Sequence, residues 1–335
     1  MIELTAERIL LSESEARTLS EGVIAEIGYS REEAETIADH FVDAALCGYE
    51  YSGLPKLLDA VEDGRRLKPR SPMRLVRETN VSALFDGGNN LGMLTLSCLA
   101  DVMIAKASSH GFAVGGLMNS WMSGRSAYYV EKIARADLVA IHTVGSSLLL
   151  VAPPGGNEPV LGANPIAIGL PAGDEPIIFD MGTSAIMHSD ISLRARRGEL
   201  LPEGVAIDAN GMPTRDPASA RAGALLPLAG HKGFGLGFMC QAMGLLAGAG
   251  MDEAKNYGYL FIVFRPDLLV PLDEFKEGLA ELISRVKAAS RLPGVDEIRI
   301  PSERSFRERK RNRRDGIVVD RRIYDKLVVW TKSRK

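Results

Sequence analysis

Apolar residues recur at helical spacing through the first seventy positions. Ser12 or Ser14 caps a segment carrying Ala16, Leu19 and Val23 on one side. Ser30, with Glu33 in the third position, opens a second helix through a capping box. That helix aligns Ala34, Ile37, Ala38, Phe41, Val42, Ala45 and Leu46, and it breaks at Gly48. A turn over Tyr49 to Gly53 leads to a short helix from Pro55 to Glu62. The period then shortens to that of strands at Met73–Arg77 and Ser82–Asp86, and Asp86-Gly87-Gly88-Asn89-Asn90 reads as a turn. Beyond Leu91 helices and strands alternate: helix Thr95–Ser108 stopping at His110-Gly111, strand Phe112–Met118, helix Ser126–Arg135, strand Leu138–Thr143. Glycine and proline punctuate Pro153 to Pro165, and strands follow at Ile166–Leu170 and Ile177–Phe179. After a glycine-rich apolar stretch come strand Tyr259–Phe264, helix Asp273–Ala289 and an arginine-rich helix Ser302–Arg314. Alternation of this kind predicts an α/β fold around a sheet.

Composition narrows the picture little further. The 335 residues are 46% apolar and 25% charged, enough for a sizeable core. Forty basic against 43 acidic residues leave a net charge of −3, which is no footprint for general nucleic-acid binding. The basic run Arg304, Arg307, Arg309, Lys310, Arg311, Arg313 and Arg314 is interleaved with Glu303, Glu308 and Asp315, so a solvated helix is expected. Three scattered cysteines (Cys47, Cys98, Cys240) fit neither a disulfide framework nor a metal site, and point to a reducing compartment. The N-terminus lacks the pattern of a secretory signal. Gly233 to Gly250, flanked by His231-Lys232 and Asp252-Glu253, suits a buried core helix better than a membrane span. A soluble cytoplasmic protein is the expectation.

No glycine cluster has the Gly-x-Gly-x-x-Gly spacing of a Rossmann site, and no P-loop is present. The chemistry-bearing candidates are polar turns beside apolar strands. In Phe179-Asp180-Met181-Gly182-Thr183-Ser184 a carboxylate ends a strand with a helix N-terminus expected immediately after it; Asp180 either caps that helix or faces a ligand. Gly230-His231-Lys232-Gly233 opens a helix where N–H groups and Lys232 suit a phosphate, or it is a surface turn. His40 and His110 read as packing or capping residues, and His142 as a buried strand residue. Trp121 either lines a pocket or belongs to the core.

Together with these turns, Gly156-Asn157-Glu158-Pro159 and Leu161-Gly162-Ala163-Asn164-Pro165-Ile166-Ala167 make the chain resemble the malate/L-lactate dehydrogenase family. Supporting stretches are Arg197-Gly198-Glu199, Leu201-Pro202-Glu203-Gly204, Asp208-Ala209-Asn210-Gly211, Leu226-Pro227 and Pro301-Ser302-Glu303-Arg304, in the family's order along nearly the whole chain. The resemblance implies a non-Rossmann mixed-sheet α/β fold of the L-sulfolactate dehydrogenase type. It divides into a helical lobe from residues 1–72 and 272–335 and a cofactor-binding sheet domain over 73–271. It also implies a homodimer with the active site near the subunit interface, and NADPH or NADH held by Ser146, Asp180, Met181, Gly182, His231, Lys232, Ser302, Glu303 and Arg304.

Two departures stand out. Where the family has Ser-His-Gly followed by an arginine, this chain has Tyr51, Ser52, Gly53 and Lys56, and where the family has a second histidine it has Met122. Both imidazoles that would move a proton near neutral pH are gone. Tyr49, Tyr51, Lys56, Asp180 and His188 are the candidate replacements. Lys56 would pair with an anionic substrate group, Ser52 or Tyr51 would hydrogen-bond the reacting atom, Asp180 would orient the nicotinamide or a relay water, and His188 would be a substitute acid. The expected function is NAD(P)H-dependent hydride transfer to a small imine or 2-oxo substrate, with C=N ahead of C=O because a protonated imine needs no proton donor. The alternative is a pseudoenzyme or a non-redox reuse of the fold, such as a cyclase or lyase.

Overall fold

The computed structural model describes residues 7–146, 148–250 and 257–332; the Asp252-Glu253 flank lies outside them. Ser12 and Ser30 each accept a backbone N–H from the third helical residue, whose glutamate bonds back, and so open α1 (Glu13–Glu26) and α2 (Arg31–Leu46) with complete capping boxes. With α3 (Leu54–Glu62) and α11 (Arg321–Lys332) these helices bury Leu19, Val23, Ile37, Phe41, Leu57 and Leu327 in one core. A two-stranded sheet, β1 (Arg8–Leu11) with β11 (Ile317–Asp320), closes it.

A second core lies against a seven-stranded mixed sheet. Its order is β2 (Arg74–Thr79), β3 (Ser82–Leu91), β4 (Phe112–Trp121), β10 (Tyr257–Phe264), β5 (Val139–Ser146), β6 (Ile166–Leu170), β7 (Ile177–Met181). Only β3 and β4 run parallel, joined by the crossover helix α4 (Gly92–His110), which stops at left-handed Gly111. Tyr259, Phe261 and Val263 on β10 pack with Leu99 and Met103 of α4 and Val130 and Ile133 of α5 (Ser126–Ala134).

Three expectations are corrected. The Asp86–Asn90 cluster is not a turn between elements but an irregularity inside β3: the register with β4 jumps between Asp86 and Asn90, with positive φ at Gly88 and Asn89. A side chain at Gly88 would strike the Ser71 carbonyl, at 2.1 Å. The glycine-rich stretch forms α8 (His231–Leu246), yet it is buried on one face only. Glycines let that face approach the sheet directly; a Cβ on Gly244 would lie 2.7 Å from Gly145 Cα. The other face leaves Phe238, Met239, Leu245 and Leu246 at 50–71% exposure. The arginine-rich helix, α10 (Glu303–Asp315), is not merely solvated, because Phe306 and Asn312 are buried and Arg309 bridges Asp43 and Glu131. The helix read at Asp273–Ala289 is α9 (Leu272–Lys287), which buries only Leu279 and pairs Lys276 with Asp137.

Because backbone meets backbone at the α8–sheet contact, Gly244→Ala cannot be absorbed by a rotamer change. It is expected to cost about 1–3 kcal/mol, read as a lowered urea midpoint at unchanged m-value.

Candidate active site

Three chain segments converge where β4, β5 and β7 end. Beyond β4, Met122 takes a positive φ and the chain passes Gly124 into the N-terminus of α5. Gly124 is required there, since a Cβ would stand 2.1 Å from His40 Nε2. The Arg125 N–H donates to that Nε2 at 2.8 Å, and the Ala127 N–H donates to Asp180 Oδ2 at 2.7 Å. Asp180 therefore does cap a helix, but α5 rather than one directly following it; the next helix, α6 (His188–Arg197), starts only at His188. Burial raises the Asp180 carboxyl above the ordinary aspartate value against the opposing pull of the Ala127 and Ser126 N–H groups and Arg125.

Two cavities flank this junction and share Gly124, Pro165 and Met187 in their walls. The larger, about 700 Å³, holds Lys56, Met122, Ser146, His188, Ser189 and Tyr257. Lys56 Nζ donates to Ser189 Oγ at 2.5 Å, and its ammonium is drawn below the usual lysine value by burial, partly offset by Asp59. His188 is likewise lowered, by burial and then by Lys56. The smaller cavity, about 400 Å³, holds Tyr49, Tyr51, Ser52, Ser126, Asp180, Met181 and Gly182. Burial pushes Tyr51 up to about 12, and Ser126 Oγ is buried without a hydrogen-bond partner among the described residues.

The six residues expected to carry chemistry thus fall on two adjoining cavities, Lys56 and His188 on one and Tyr49, Tyr51, Ser52 and Asp180 on the other. Of the residues expected at the cofactor, Ser146, Asp180, Met181 and Gly182 line them. Arg304 reaches the smaller one indirectly, its guanidinium 4.8 Å from the Tyr49 ring centre. His231 and Lys232 are exposed at the start of α8 and line neither. Ser302 accepts the Ile178 N–H, and Glu303 pairs with Lys287 and accepts the Ile300 N–H; neither touches the cavities. Trp121 belongs to the core, with Nε1 donating to the Asn89 carbonyl, and its neighbour Met122 faces the larger cavity. Ser189, Ser126, Arg125 and Arg221 escaped the sequence reading. Of these only Ser126, read as the first residue of a helix, carried a local signal.

The chain belongs to the malate/L-lactate dehydrogenase family, whose model matches residues 11–328. It is similar to the malate/(S)-sulfolactate dehydrogenase of Methanothermus fervidus, 31% identical over 95% of this chain and 96% of that one. It is also similar to the Δ1-pyrroline-2-carboxylate/Δ1-piperideine-2-carboxylate reductase of Pseudomonas syringae pv. tomato, at 34% identity over 90% of each chain. Among solved structures, sulfolactate dehydrogenase from Methanocaldococcus jannaschii superposes with a TM-score of 0.83 at 31% identity, over 96% of both chains. These relatives are oxidoreductases, and the chain is an enzyme of that class.

The remaining histidines do not line the cavities. His110 is exposed at the end of α4, and His40 serves the Arg125 N–H. His142 is buried, bonds the Leu260 carbonyl through Nδ1 and stacks on Phe261; burial lowers it to about 4. An unfolded histidine takes up a proton near pH 6.5. Native stability is therefore expected to fall by roughly 3 kcal/mol between pH 6.5 and 4 on account of His142. His142→Phe should flatten that part of the pH–stability curve in chemical denaturation.

Proposed function

We propose that the chain reduces a small imine or 2-oxo carboxylate with NADH or NADPH, the imine ahead of the ketone. The observation that carries this reading is the junction of the two cavities at Gly124, Pro165 and Met187, with Lys56 and Ser189 on one side and Asp180 and Tyr51 on the other. The residues fit a nicotinamide nucleotide. Ser126 Oγ at the smaller cavity and Asn164 Oδ1 at the larger are buried and unpartnered among the described residues, as ligand-facing polar atoms would be. Asp180, Met181, Gly182 and Ser126 would hold the nicotinamide end and Ser146 and Asn164 the remainder, residues 73–271 forming the cofactor-binding domain. The bound cofactor supplies hydride. The chain's own part is to exclude water and to orient the substrate, with Tyr51 or Ser52 hydrogen-bonding the reacting atom. Relatives named for Δ1-pyrroline-2-carboxylate reduction support the imine side of the reading. The three free cysteines support work in the cytoplasm.

The exposed apolar face of α8 supports a homodimer with a second copy seated on Phe238, Met239, Leu245 and Leu246. Phe238→Asp with Leu246→Asp should convert a dimer to a monomer in sedimentation. A wild-type monomer at micromolar concentration would contradict it.

Nicotinamide fluorescence during titration with NADH and NADPH should reveal saturable binding of at least one. Δ1-pyrroline-2-carboxylate and a panel of 2-oxo acids should then oxidise the bound cofactor, followed at its absorbance band. No binding of either nucleotide at millimolar concentration would sink the proposal.

A further inference from the structure

The two positions where an imidazole would be expected are Ser52 and Met122, so the cavities need another proton donor for any substrate that is not already protonated. We propose that Lys56, held by Ser189, is that donor, and that Lys56 is not the anchor of the substrate's anionic group. The inference rests on the reductase reading above.

The geometry sets Lys56 apart from an ordinary anchoring cation. Lys56 is half-buried in the cavity wall, with its Nζ directed onto a neutral acceptor, Ser189 Oγ, at 2.5 Å. Among the described residues it forms no ion pair: Asp59 and Glu62 on its own helix are both engaged by Arg196, at 2.7 Å each. The other titratable and charged groups around it are His188 on α6, Asp63 after α3, Tyr257 on β10, Lys326 on α11, Arg221 on α7 (Pro217–Ala222), and His40 behind Gly124. The two histidines and Tyr257 do not compete as the acid, and Lys326 is exposed. His188 and His40 are driven towards the neutral form, His40 gives its Nε2 lone pair to the Arg125 N–H, and burial raises Tyr257. Burial lowers the Lys56 ammonium too, and for a group that is ordinarily a very weak acid this means readier proton release. A separate cation is available for a substrate carboxylate. Arg221 lines the same cavity, donates to Ser192 Oγ at 2.9 Å, and makes no ion pair among the described residues.

The step balances simply. With hydride supplied by a bound cofactor, the carbon of the C=O or unprotonated C=N bond would accept it and the π pair would pass to oxygen or nitrogen. That atom takes a proton from Lys56, an N–H bond breaking as an O–H or N–H bond forms. The neutral amine recovers its proton from solvent through the open cavity.

Lys56→Arg separates donor from anchor, because a guanidinium binds anions at least as well as an ammonium but does not release a proton. With a 2-oxo acid that wild type reduces, or with the imine carboxylate if that alone turns over, K56R should lose about 100-fold or more in kcat. KM should stay within a few-fold and the NAD(P)H dissociation constant should not change. Turnover of K56R within a few-fold of wild type would overturn the proposal and return Lys56 to an anchoring role. Wild-type reduction should be lost as pH rises through the Lys56 pKa. In Ser189→Ala that limb should move to lower pH, since the hydroxyl stabilises the ammonium; an unmoved limb overturns the Ser189 part. A readout independent of turnover is the wild-type chain with lysine labelled at the ε-carbon. One NMR signal, absent in K56R, should titrate below the ordinary lysine value of about 10.4. If no lysine signal does so, the inference fails even should K56R misfold. A wild type that binds no nucleotide would instead sink the reductase reading itself.

Discussion

The pairing of Arg125 with Asp43 is the constraint on which the rest of the arrangement turns. Both side chains are largely buried, 2.6 Å apart, where the helices of the chain ends meet the sheet. Charges taken out of water are tolerable only when each finds partners. Arg309 supplies a second cation to Asp43 and clasps Glu131, so α2, α5 and α10 are tied by alternating charge. With Arg125 immobile, the N-terminus of α5 is set. Its first N–H groups go to His40 and Asp180, and the walls of both cavities follow from that placement.

A second constraint comes from glycine. Gly145, Gly244 and Gly258 bring α8 into backbone contact with β5 and β10, which leaves no room for interdigitating side chains on that face. The large apolar residues of α8 are displaced to its outer face, and the sheet's side-chain-rich core is concentrated under α4 and α5. Burial at the site acts in the same direction on each titratable group, disfavouring its charged form. It raises Asp180 and Tyr51 and lowers Lys56 and His188.

Much of the fold was legible along the chain. The capping boxes at Ser12 and Ser30, the stop at Gly111 and the strand periods at Phe112, Leu138 and Ile177 are local signals, and each produced the expected element within a few residues. The site was legible in part. Asp180, Met181 and Gly182 sit on a turn whose residue types announce themselves, whereas Ser189 and Arg221 look like ordinary helix residues. They matter because α6 and α7 carry them into the same cavity as Lys56, which for Ser189 lies 133 positions away.

What the sequence determined by itself is what short-range physics controls: caps, periods, breaks and the lack of a glycine fingerprint. What only the tertiary structure decided is which distant groups share a cavity and which helix a carboxylate serves. Asp180 shows the difference. Its residue type and strand-end position leave open a cap for the helix that follows or a ligand contact, but the N–H it receives belongs to a helix 53 residues earlier. Sheet order, not chain order, brings β7 beside that helix, because hydrogen bonds act on distance in space and are indifferent to separation along the chain.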